Sequence, residues 1–397
     1  METVYVIDVV RTAIGKYGGS LAPVRPDDLL ATCIKALMNR NSNVDPALIE
    51  DVIAGAANQS GEDNRNVARM AALLAGLPTT IAGNTVNRLC ASGLQAIMDS
   101  ARTIACGDAQ LMIACGVESM SRAPFVMPKA TSAYDRNPQI FDTTMGWRFV
   151  NRQLAEMYFP YTMGETAENI AKQWNISRHA QDEFAMFSQQ KYAKAHKEGK
   201  FKEEIIPVRV QVGKDSFDIE IDEHPRLASL DKLSMLKPAF IKDGTVTAGN
   251  SSGINDGAAA MLLASESAVQ KLALKPMAKI KSMAVAGVEP AVMGIGPVPA
   301  TQKALKRAGI HAGDLDLIEL NEAFASQSIA CIHDLGLDLE KVNVNGGAIA
   351  LGHPLGCSGV RISATLLHEM QKRNSRYGLA SMCVGVGQGV AIIYEGM

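Results

Sequence analysis

The chain has 397 residues, enough for about two to three domains and for a sizeable core that needs neither disulfides nor metal. Its 47% hydrophobic and 20% charged content is that of an ordinary globular protein, which excludes a disordered or collagen-like chain. The 39 basic and 41 acidic residues leave a formal net charge of −2, so no overall positive field favours nucleic acid or anionic lipid as a partner.

Strand-like and helical segments alternate along the first part of the chain. In order they are a strand at 4–10, a helix at 27–38, a strand at 51–55, a helix at 66–75, an extended segment at 84–87, a helix at 91–106 and a buried strand at 111–116. This alternation predicts an α/β fold with a mostly parallel sheet.

The same order of elements returns near the C-terminus, which indicates an internal repeat. A helix at 300–308 and a strand at 314–320 resemble the earlier helix at 27–38 and strand at 48–53. Residues 121–243 lose the pattern and look like an inserted lid or substrate-binding subdomain. We therefore predict one half from 1–120 plus 244–270, an inserted domain at 121–243, and a second half at 271–397.

Three absences in the sequence set further expectations. The apolar stretches fall far short of the roughly 20 residues that span a bilayer, and the N-terminus lacks the basic and apolar regions of an export signal. The seven cysteines include no Cys-x-x-Cys pair, which fits neither a disulfide framework nor a zinc site. We expect reduced thiols in the cytoplasm, no bound metal and no membrane partner.

Cys90 lies between an extended segment and a predicted helix that begins with Ala91-Ser92-Gly93. At the positive end of a helix dipole, the pKa of a thiol falls below its usual value of about 8.5, which favours a nucleophilic thiolate. A packed core cysteine is the alternative interpretation.

A glycine-rich loop at 345–359 surrounds His353 and leads into a helix. Glycines let the backbone approach a ligand closely, and a histidine is suited to proton transfer near neutral pH. The alternative is a tight turn that the histidine caps.

Two further segments follow predicted strands. The glycines after Cys383 resemble a dinucleotide fingerprint, but no helix follows them, so we expect a loop whose amides stabilise an oxyanion. Asn321 lies at a strand end, where α/β active sites are found, or else caps a helix. Two cysteines and a histidine at the ends of repeated elements favour acyl transfer through a cysteine nucleophile.

These motifs together resemble the thiolases over essentially the whole chain. The matching segments, in the family's order, are 11–12, 87–93, 116–120, 166–169, 247–257, 321–324, 346–354 and 383–389. The resemblance implies two repeated βαβαβαββ halves in a layered αβαβα arrangement, an inserted loop domain, and a homodimer or homotetramer.

The resemblance also implies roles for individual residues. Cys90 would take the acyl group after His353 helps to deprotonate it, and Cys383 would be the acid/base for the acetyl-CoA enolate and then for CoA. His353 and a water held by Asn321 would form one oxyanion hole, and the amides of Cys90 and Gly385 the other. The implied reaction is CoA-dependent cleavage of a 3-oxoacyl-CoA, with coenzyme A as co-substrate and no permanently bound cofactor.

Five residues match positions that contact CoA in the family. They are Ser252, Ala248, Phe240, Met163 and, after a one-residue gap, Arg226. The alternatives are a turn residue for Ser252, a core residue for Phe240 and a solvated charge for Arg226.

The resemblance extends to a substrate class. Thr162 stands where acetoacetyl-CoA-specific biosynthetic members have histidine, which favours the degradative type. Segments 61–70, 121–127 and 142–149 resemble the subgroup acting on 3-oxoadipyl-CoA in aromatic catabolism, although Gly164 replaces that subgroup's frequent proline. An acetoacetyl-CoA thiolase is the alternative.

A 3-oxoadipyl substrate ends in a carboxylate, and burying this charge without a partner is costly. The sequence therefore predicts a cation in the acyl pocket. The candidates are Arg148, Arg152 and Lys129, and each has a surface charge as its alternative interpretation.

Three other function classes have residue patterns that differ from this chain. A ketosynthase or hydroxymethylglutaryl-CoA synthase would have histidine in place of Cys383 or use a glutamate as acid/base. A non-catalytic acyl-CoA or lipid-binding protein would be expected to lose Cys90 or His353. A cysteine hydrolase would lack the two halves and the loop motifs.

Overall fold

The structure is a computed structural model that describes residues 2–397. Its first part contains strands β1 (Val4–Thr12), β2 (Gly15–Lys16), β3 (Asp51–Gly55), β4 (Ala82–Val86) and β5 (Leu111–Ser119), with helices α1 (Pro26–Arg40), α2 (Val67–Leu74) and α3 (Ser92–Cys106). Asp27 and Asp28 in the first turn of α1 and Gly107, which ends α3 at φ +85°, are usual signals for helix start and stop.

The middle part consists of short strands and helices. The strands are β6 (Phe125–Val126), β7 (Phe141–Asp142), β8 (Ile205–Ile206), β9 (Val208–Val212) and β10 (Asp215–Ile219), and the helices are α4 (Arg152–Met157), α5 (Met163–Gln173), α6 (Arg178–Lys197) and α7 (Leu230–Ser234). Helix α5 begins with a capping box, in which Thr162 and Glu165 satisfy each other's backbone N–H groups.

The last part completes the first half and adds the second. Its strands are β11 (Asn255–Ser265), β12 (Ala278–Gly287), β13 (Leu317–Leu320), β14 (Tyr377–Val384) and β15 (Gln388–Gly396), and its helices are α8 (Glu266–Lys271), α9 (Pro297–Ala308), α10 (Ala325–Leu335), α11 (Ala348–Leu351) and α12 (Leu355–Arg373).

The strands run in the order β13-β14-β15-β12-β1-β11-β5-β3-β4. The outer strands pair in parallel, but β11 is antiparallel to β1 and β5, and β15 is antiparallel to β12 and β14. The prediction of a mostly parallel sheet is therefore wrong. The last two strands of each half, β5 with β11 and β14 with β15, pair directly with each other. These antiparallel pairs make the centre of each half-sheet antiparallel.

The two half-sheets and their helices form five layers. Helices α1 and α2 cover the outer face of the first half-sheet, and α9 and α10 cover the outer face of the second. Helices α3 and α12 pack together between the half-sheets and contact both. The predicted layered αβαβα fold with two repeated halves is confirmed.

The repeat explains one irregularity of the second half. In the first half, β4 pairs with β3 along five residues, whereas its counterpart beside β13 is a single bridge between Ile318 and Val342. The other strands correspond as β1 to β12, β3 to β13, β5 to β14 and β11 to β15, and the pair of β3 and β13 is the one read from the sequence.

Glycines bring the two central helices into backbone contact. A Cβ atom on Gly359 would lie 2.0 Å from the backbone nitrogen of Leu94, and one on Gly93 would lie 2.8 Å from the carbonyl oxygen of Gly356. Neither position therefore accommodates a side chain. This close approach places the start of α3, which follows Cys90, against the start of α12, which follows His353.

Candidate active site

Cys90 lies in a short turn between β4 and α3, and the residue before it has a strained backbone. Leu89 adopts φ +46°, and a non-glycine residue in this region costs of order 1–3 kcal/mol. The conformation is held by its own N–H, which donates to Asn87 Oδ1 at 2.8 Å, and by its carbonyl, which accepts from the Ser92 hydroxyl at 2.7 Å. The turn thus presents the Cys90 sulfur, which is partly exposed.

The loop between β14 and β15 closes over the same sulfur. Backbone N–H groups of Gly385 and of Cys90 itself hydrogen-bond to the thiol. The next residue, Val386, adopts φ +62°, which is a rare conformation for a β-branched side chain. Arg88 also joins the two loops, because its guanidinium donates to Gln388 Oε1 at 2.9 Å. The loops that carry Cys90 and Gly385 are thus joined beside this sulfur.

Burial raises the pKa of the Cys90 thiol to about 11. The helix position alone predicted a lowered pKa, and this prediction is wrong for the free protein. The two amide hydrogen bonds favour the thiolate, but desolvation of the sulfur outweighs them. Cys90 is therefore a neutral thiol in the free protein.

His353 is held in place by hydrogen bonds to its ring and to its backbone. The Ser358 hydroxyl donates its only proton to the Pro354 carbonyl at 2.9 Å, so it accepts from the Nδ1–H of His353 at 2.6 Å. This assigns the proton to Nδ1 and leaves the lone pair on Nε2. The backbone N–H of His353 donates to Asn255 Oδ1 at 2.9 Å, which fixes the backbone position from which the imidazole extends.

Burial, with a smaller contribution from the charge of Arg361, lowers the pKa of His353 to about 3. The imidazole is therefore neutral at physiological pH and can accept a proton. Its Nε2 lies 3.5 Å from Asn321 Nδ2, and Asn321 Oδ1 is buried without a hydrogen-bond partner among residues 2–397. An orphaned acceptor of this kind fits a bound water.

Cys383 is the next-to-last residue of β14 and is fully buried beside Cys90. Burial raises the pKa of its thiol well above the usual value, and the neighbouring Cys90 acts in the same direction. Cys90, His353, Cys383, Asn321 and Gly385, predicted from widely separated segments, thus come together at the central helices.

Two of the five predicted CoA-contact residues, Met163 and Phe240, pack against other hydrophobic side chains. Met163 shares a hydrophobic cluster with Cys383 and borders Gly385, so it lies at the catalytic end. The Phe240 ring stands edge-on to Phe324 with centroids 6.1 Å apart.

The other three CoA candidates lie along neighbouring surface loops. The exposed Arg226 donates from Nη2 to the carbonyl of Ala248 at 2.5 Å. The backbone N–H of Ser252 donates to the carbonyl of Ala323 at 3.0 Å. Arg226 and Ala248 therefore contact each other, while Ser252 is anchored close to Asn321.

Four supporting residues were not singled out from the sequence. Ser358 and Asn255 orient His353, as described above. Glu118 accepts from the backbone N–H of Gly356, and Glu322 accepts from Ser188, Asn343 and Ile349. All four lie inside matched or neighbouring motifs, but the sequence does not indicate which atoms they contact.

The structure distinguishes the three candidate cations. Arg152 is 93% exposed and pairs with Glu156 at 3.0 Å, and Lys129 is also exposed. Arg148 is half-buried and within electrostatic range of Glu118.

The described residues contain neither a metal-ligand cluster nor a helix that could cross a membrane. Within 2–397, no three His, Cys, Asp or Glu side chains are grouped so as to hold a metal ion. Across the same range, none of the helices combines the length and the apolar composition that a bilayer crossing demands.

Models of known families match almost the whole chain. The thiolase N-terminal domain matches residues 4–267, and the thiolase C-terminal domain matches residues 274–396. The chain belongs to the thiolase family. The prediction that the chain is a thiolase, and therefore an acyltransferase enzyme, is thereby confirmed.

Individual thiolases are similar over their full lengths. The β-ketoadipyl-CoA thiolase of Pseudomonas aeruginosa is 56% identical, covering 99% of this chain and 98% of the relative. The 3-oxoadipyl-CoA/3-oxo-5,6-dehydrosuberyl-CoA thiolase of Escherichia coli K12 is 54% identical over the whole of both chains. Human mitochondrial 3-ketoacyl-CoA thiolase in complex with CoA superposes with a TM-score of 0.93 at 40% identity, covering 100% of this chain and 98% of that one.

Proposed function

We propose that this thiolase cleaves 3-oxoadipyl-CoA with free CoA to give acetyl-CoA and succinyl-CoA, in the degradation of aromatic compounds. The observation that carries the proposal is the match over the full length to two relatives whose names specify this substrate. The catalytic cysteines, the neutral histidine and the amide pair supply the chemistry that such a cleavage needs.

In the first half-reaction, the Cys90 sulfur attacks the C3 carbonyl and His353 Nε2 takes the thiol proton. The amides of Cys90 and Gly385 receive the oxyanion of the tetrahedral intermediate. The C2–C3 bond then breaks, leaving the succinyl group on Cys90 and an acetyl-CoA enolate. His353 and the water on Asn321 stabilise this enolate, and the Cys383 thiol protonates it.

In the second half-reaction, the Cys383 thiolate removes the proton of the incoming CoA thiol. The CoA sulfur attacks the thioester on Cys90, and the Cys90 thiolate leaves and recovers its proton from His353. Each positioned acid or base contributes about 10²–10⁴ in rate, and the removal of an oxyanion donor costs about 10²–10³. For CoA binding we propose Ser252, Ala248, Phe240, Arg226 and Met163.

We also propose that the protein acts in the cytoplasm as a homodimer or homotetramer. Strand β4 is the last strand of the sheet and has no further strand beside it within the described residues, which leaves an edge that a second copy can cover. Seven unpaired thiols are typical of a reducing compartment. Light scattering and cell fractionation test these two proposals.

Acetyl-CoA release from 3-oxoadipyl-CoA and from acetoacetyl-CoA, each with free CoA, tests the substrate. We expect a higher kcat/KM for 3-oxoadipyl-CoA. An equal or higher value for acetoacetyl-CoA would replace the proposal with a short-chain acetyl-CoA C-acetyltransferase. Release of free acid that does not require CoA would indicate a hydrolase.

A further inference from the structure

The proposed substrate places a negative charge close to the reacting carbon. In 3-oxoadipyl-CoA the second carboxylate is three bonds beyond the carbonyl that Cys90 attacks. An apolar pocket that receives this group must supply a cation or hydrogen-bond donors, because burying an unpaired carboxylate is costly. The residue that binds this carboxylate must therefore carry positive charge or free hydrogen-bond donors.

The position of Arg148 relative to the site is given by Glu118. This buried carboxylate accepts from the backbone N–H groups of Ala57, Asn58 and Gly356 at 2.8–3.0 Å. It is also within electrostatic range of both the Cys90 thiol and the Arg148 guanidinium. Arg148 and Cys90 are therefore both within electrostatic range, though not in contact, of the same buried carboxylate.

The segment that carries Arg148 is fastened at two residues that precede it, Thr143 and Trp147. Before it, the Asn58 amide donates to Thr143 Oγ1 at 2.9 Å, and the Thr143 hydroxyl donates to the Pro124 carbonyl at 2.6 Å. Beside it, Trp147 Nε1 donates to the Tyr161 carbonyl at 2.9 Å. Tyr161 is two residues before Met163, which borders Gly385 and Cys383. These contacts connect the residue before Arg148 to the loop that leads to Met163, beside Cys383 and Gly385.

Arg148 itself makes no hydrogen bond and no ion pair with any residue from 2 to 397, although it is half-buried. Other partly buried arginines nearby are paired: Arg88 with Gln95 and Gln388, and Arg122 with Glu62. A guanidinium whose donors are all free is suited to bidentate binding of a carboxylate. Glu118 already accepts from three backbone N–H groups, so it does not need the Arg148 guanidinium as a partner.

We propose that Arg148 binds the terminal carboxylate of the acyl chain and makes this thiolase selective for 3-oxoacyl-CoA substrates that end in a carboxylate. The inference rests on the proposed function. Arg152 and Lys129 are excluded as the main ligand because both are exposed, and Arg152 is already paired with Glu156.

The test compares two substrates with the same number of acyl carbons, 3-oxoadipyl-CoA and 3-oxohexanoyl-CoA, on wild-type enzyme and on Arg148→Gln. We expect kcat/KM for 3-oxoadipyl-CoA to fall by at least about 30-fold in the variant. The value for 3-oxohexanoyl-CoA should stay within about twofold, and Arg148→Lys should restore part of the loss. Arg152→Gln is the matched control and should change neither value.

The outcomes separate the inference from the proposed function. A wild-type enzyme without preference for the dicarboxylate would overturn the function and, with it, this role. If the wild-type preference exists and Arg148→Gln retains it, only the role of Arg148 is overturned. An equal loss on both substrates would also overturn it, because it would mean that Arg148 acts on the site through Glu118 rather than on the carboxylate.

Discussion

At the scale of single residues, the chemistry of the site depends on two groups that burial keeps uncharged. The Cys90 thiol has its pKa raised to about 11, and the His353 imidazole has its pKa lowered to about 3. The pair therefore rests as thiol and imidazole rather than as thiolate and imidazolium. Proton transfer then accompanies the attack, and the amides of Cys90 and Gly385 are in place before charge develops.

This arrangement predicts how the first half-reaction depends on pH. Between pH 5.5 and 7.5, His353 stays neutral because the interval lies above its lowered pKa, and Cys90 stays protonated because the interval lies below its raised pKa. Acyl-enzyme formation, measured by rapid quench with 3-oxoadipyl-CoA alone, should change by no more than about twofold. An ordinary histidine with a pKa near 6.5 would instead cause a fall of about tenfold at pH 5.5, and such a fall would contradict the assignment.

A second residue-scale feature is the departure at Gly164, where the 3-oxoadipyl subgroup often has proline. A Cβ atom at this position would lie 2.1 Å from Cγ of Phe240. The aromatic ring therefore occupies the space that a side chain on residue 164 would need. The glycine and the position of the proposed CoA contact depend on each other.

Gly164→Ala should displace the Phe240 ring, which is 37% exposed and so has room to move. We expect the KM for CoA to rise about three- to tenfold, with a stability loss of about 1–3 kcal/mol at most. Gly313→Ala is the matched control, because nothing lies within 4 Å of a Cβ atom there, and it should leave the KM unchanged. An unchanged KM in Gly164→Ala would remove Phe240 from the proposed CoA site.

At the scale of elements, helix starts and strand ends place the reacting groups. Cys90 precedes α3 and His353 precedes α12, so the contact between α3 and α12 brings these two segments together, while Cys383 lies near the end of β14. The helix and strand segments were predictable from hydrophobic spacing and caps. The direction of the strands was not predictable in the same way. Alternating helices and strands indicate parallel neighbours, but they do not reveal that β11 and β15 pair directly with the preceding strand of their half in the antiparallel direction.

The same limit applies to the contacts that tune the site. His353 could be singled out because a histidine among glycines is unusual, yet its tautomer depends on the Ser358 hydroxyl donating to Pro354. The pKa of Cys90 depends on how completely the surrounding elements exclude water. Both are tertiary properties, and a helix-dipole argument made from one segment predicted the second with the wrong sign.

At the scale of the whole molecule, the middle segment is tied to the first half by a buried charge network. The Arg11 guanidinium donates to Glu204 Oε1 and to Asp222 Oδ1, both at 2.7 Å, and all three side chains are almost fully buried. The Asp222 carboxylate also accepts from the backbone N–H of Ile14. The network holds the stretch from Glu204 to Asp222, which leads into Arg226, against the first half.

The overall architecture was the most predictable level. The repeated order of elements and the eight matched motifs were enough for the five-layer fold and for the thiolase family, because those motifs lie where the chain's elements end around one site. The boundaries 1–120 with 244–270, 121–243 and 271–397 stay a prediction. The acyl pocket was the least predictable part, since Arg148, Arg152 and Lys129 differ only in burial and pairing.

The most direct test of the account is the intact mass of the enzyme after incubation with 3-oxoadipyl-CoA. We predict one succinyl group on the wild-type protein that is discharged when CoA is added. Cys383→Ala should form the adduct slowly and retain it in the presence of CoA, and Cys90→Ala should form none. A succinyl adduct or full turnover in Cys90→Ala would contradict the assignment of the nucleophile and, with it, the mechanism.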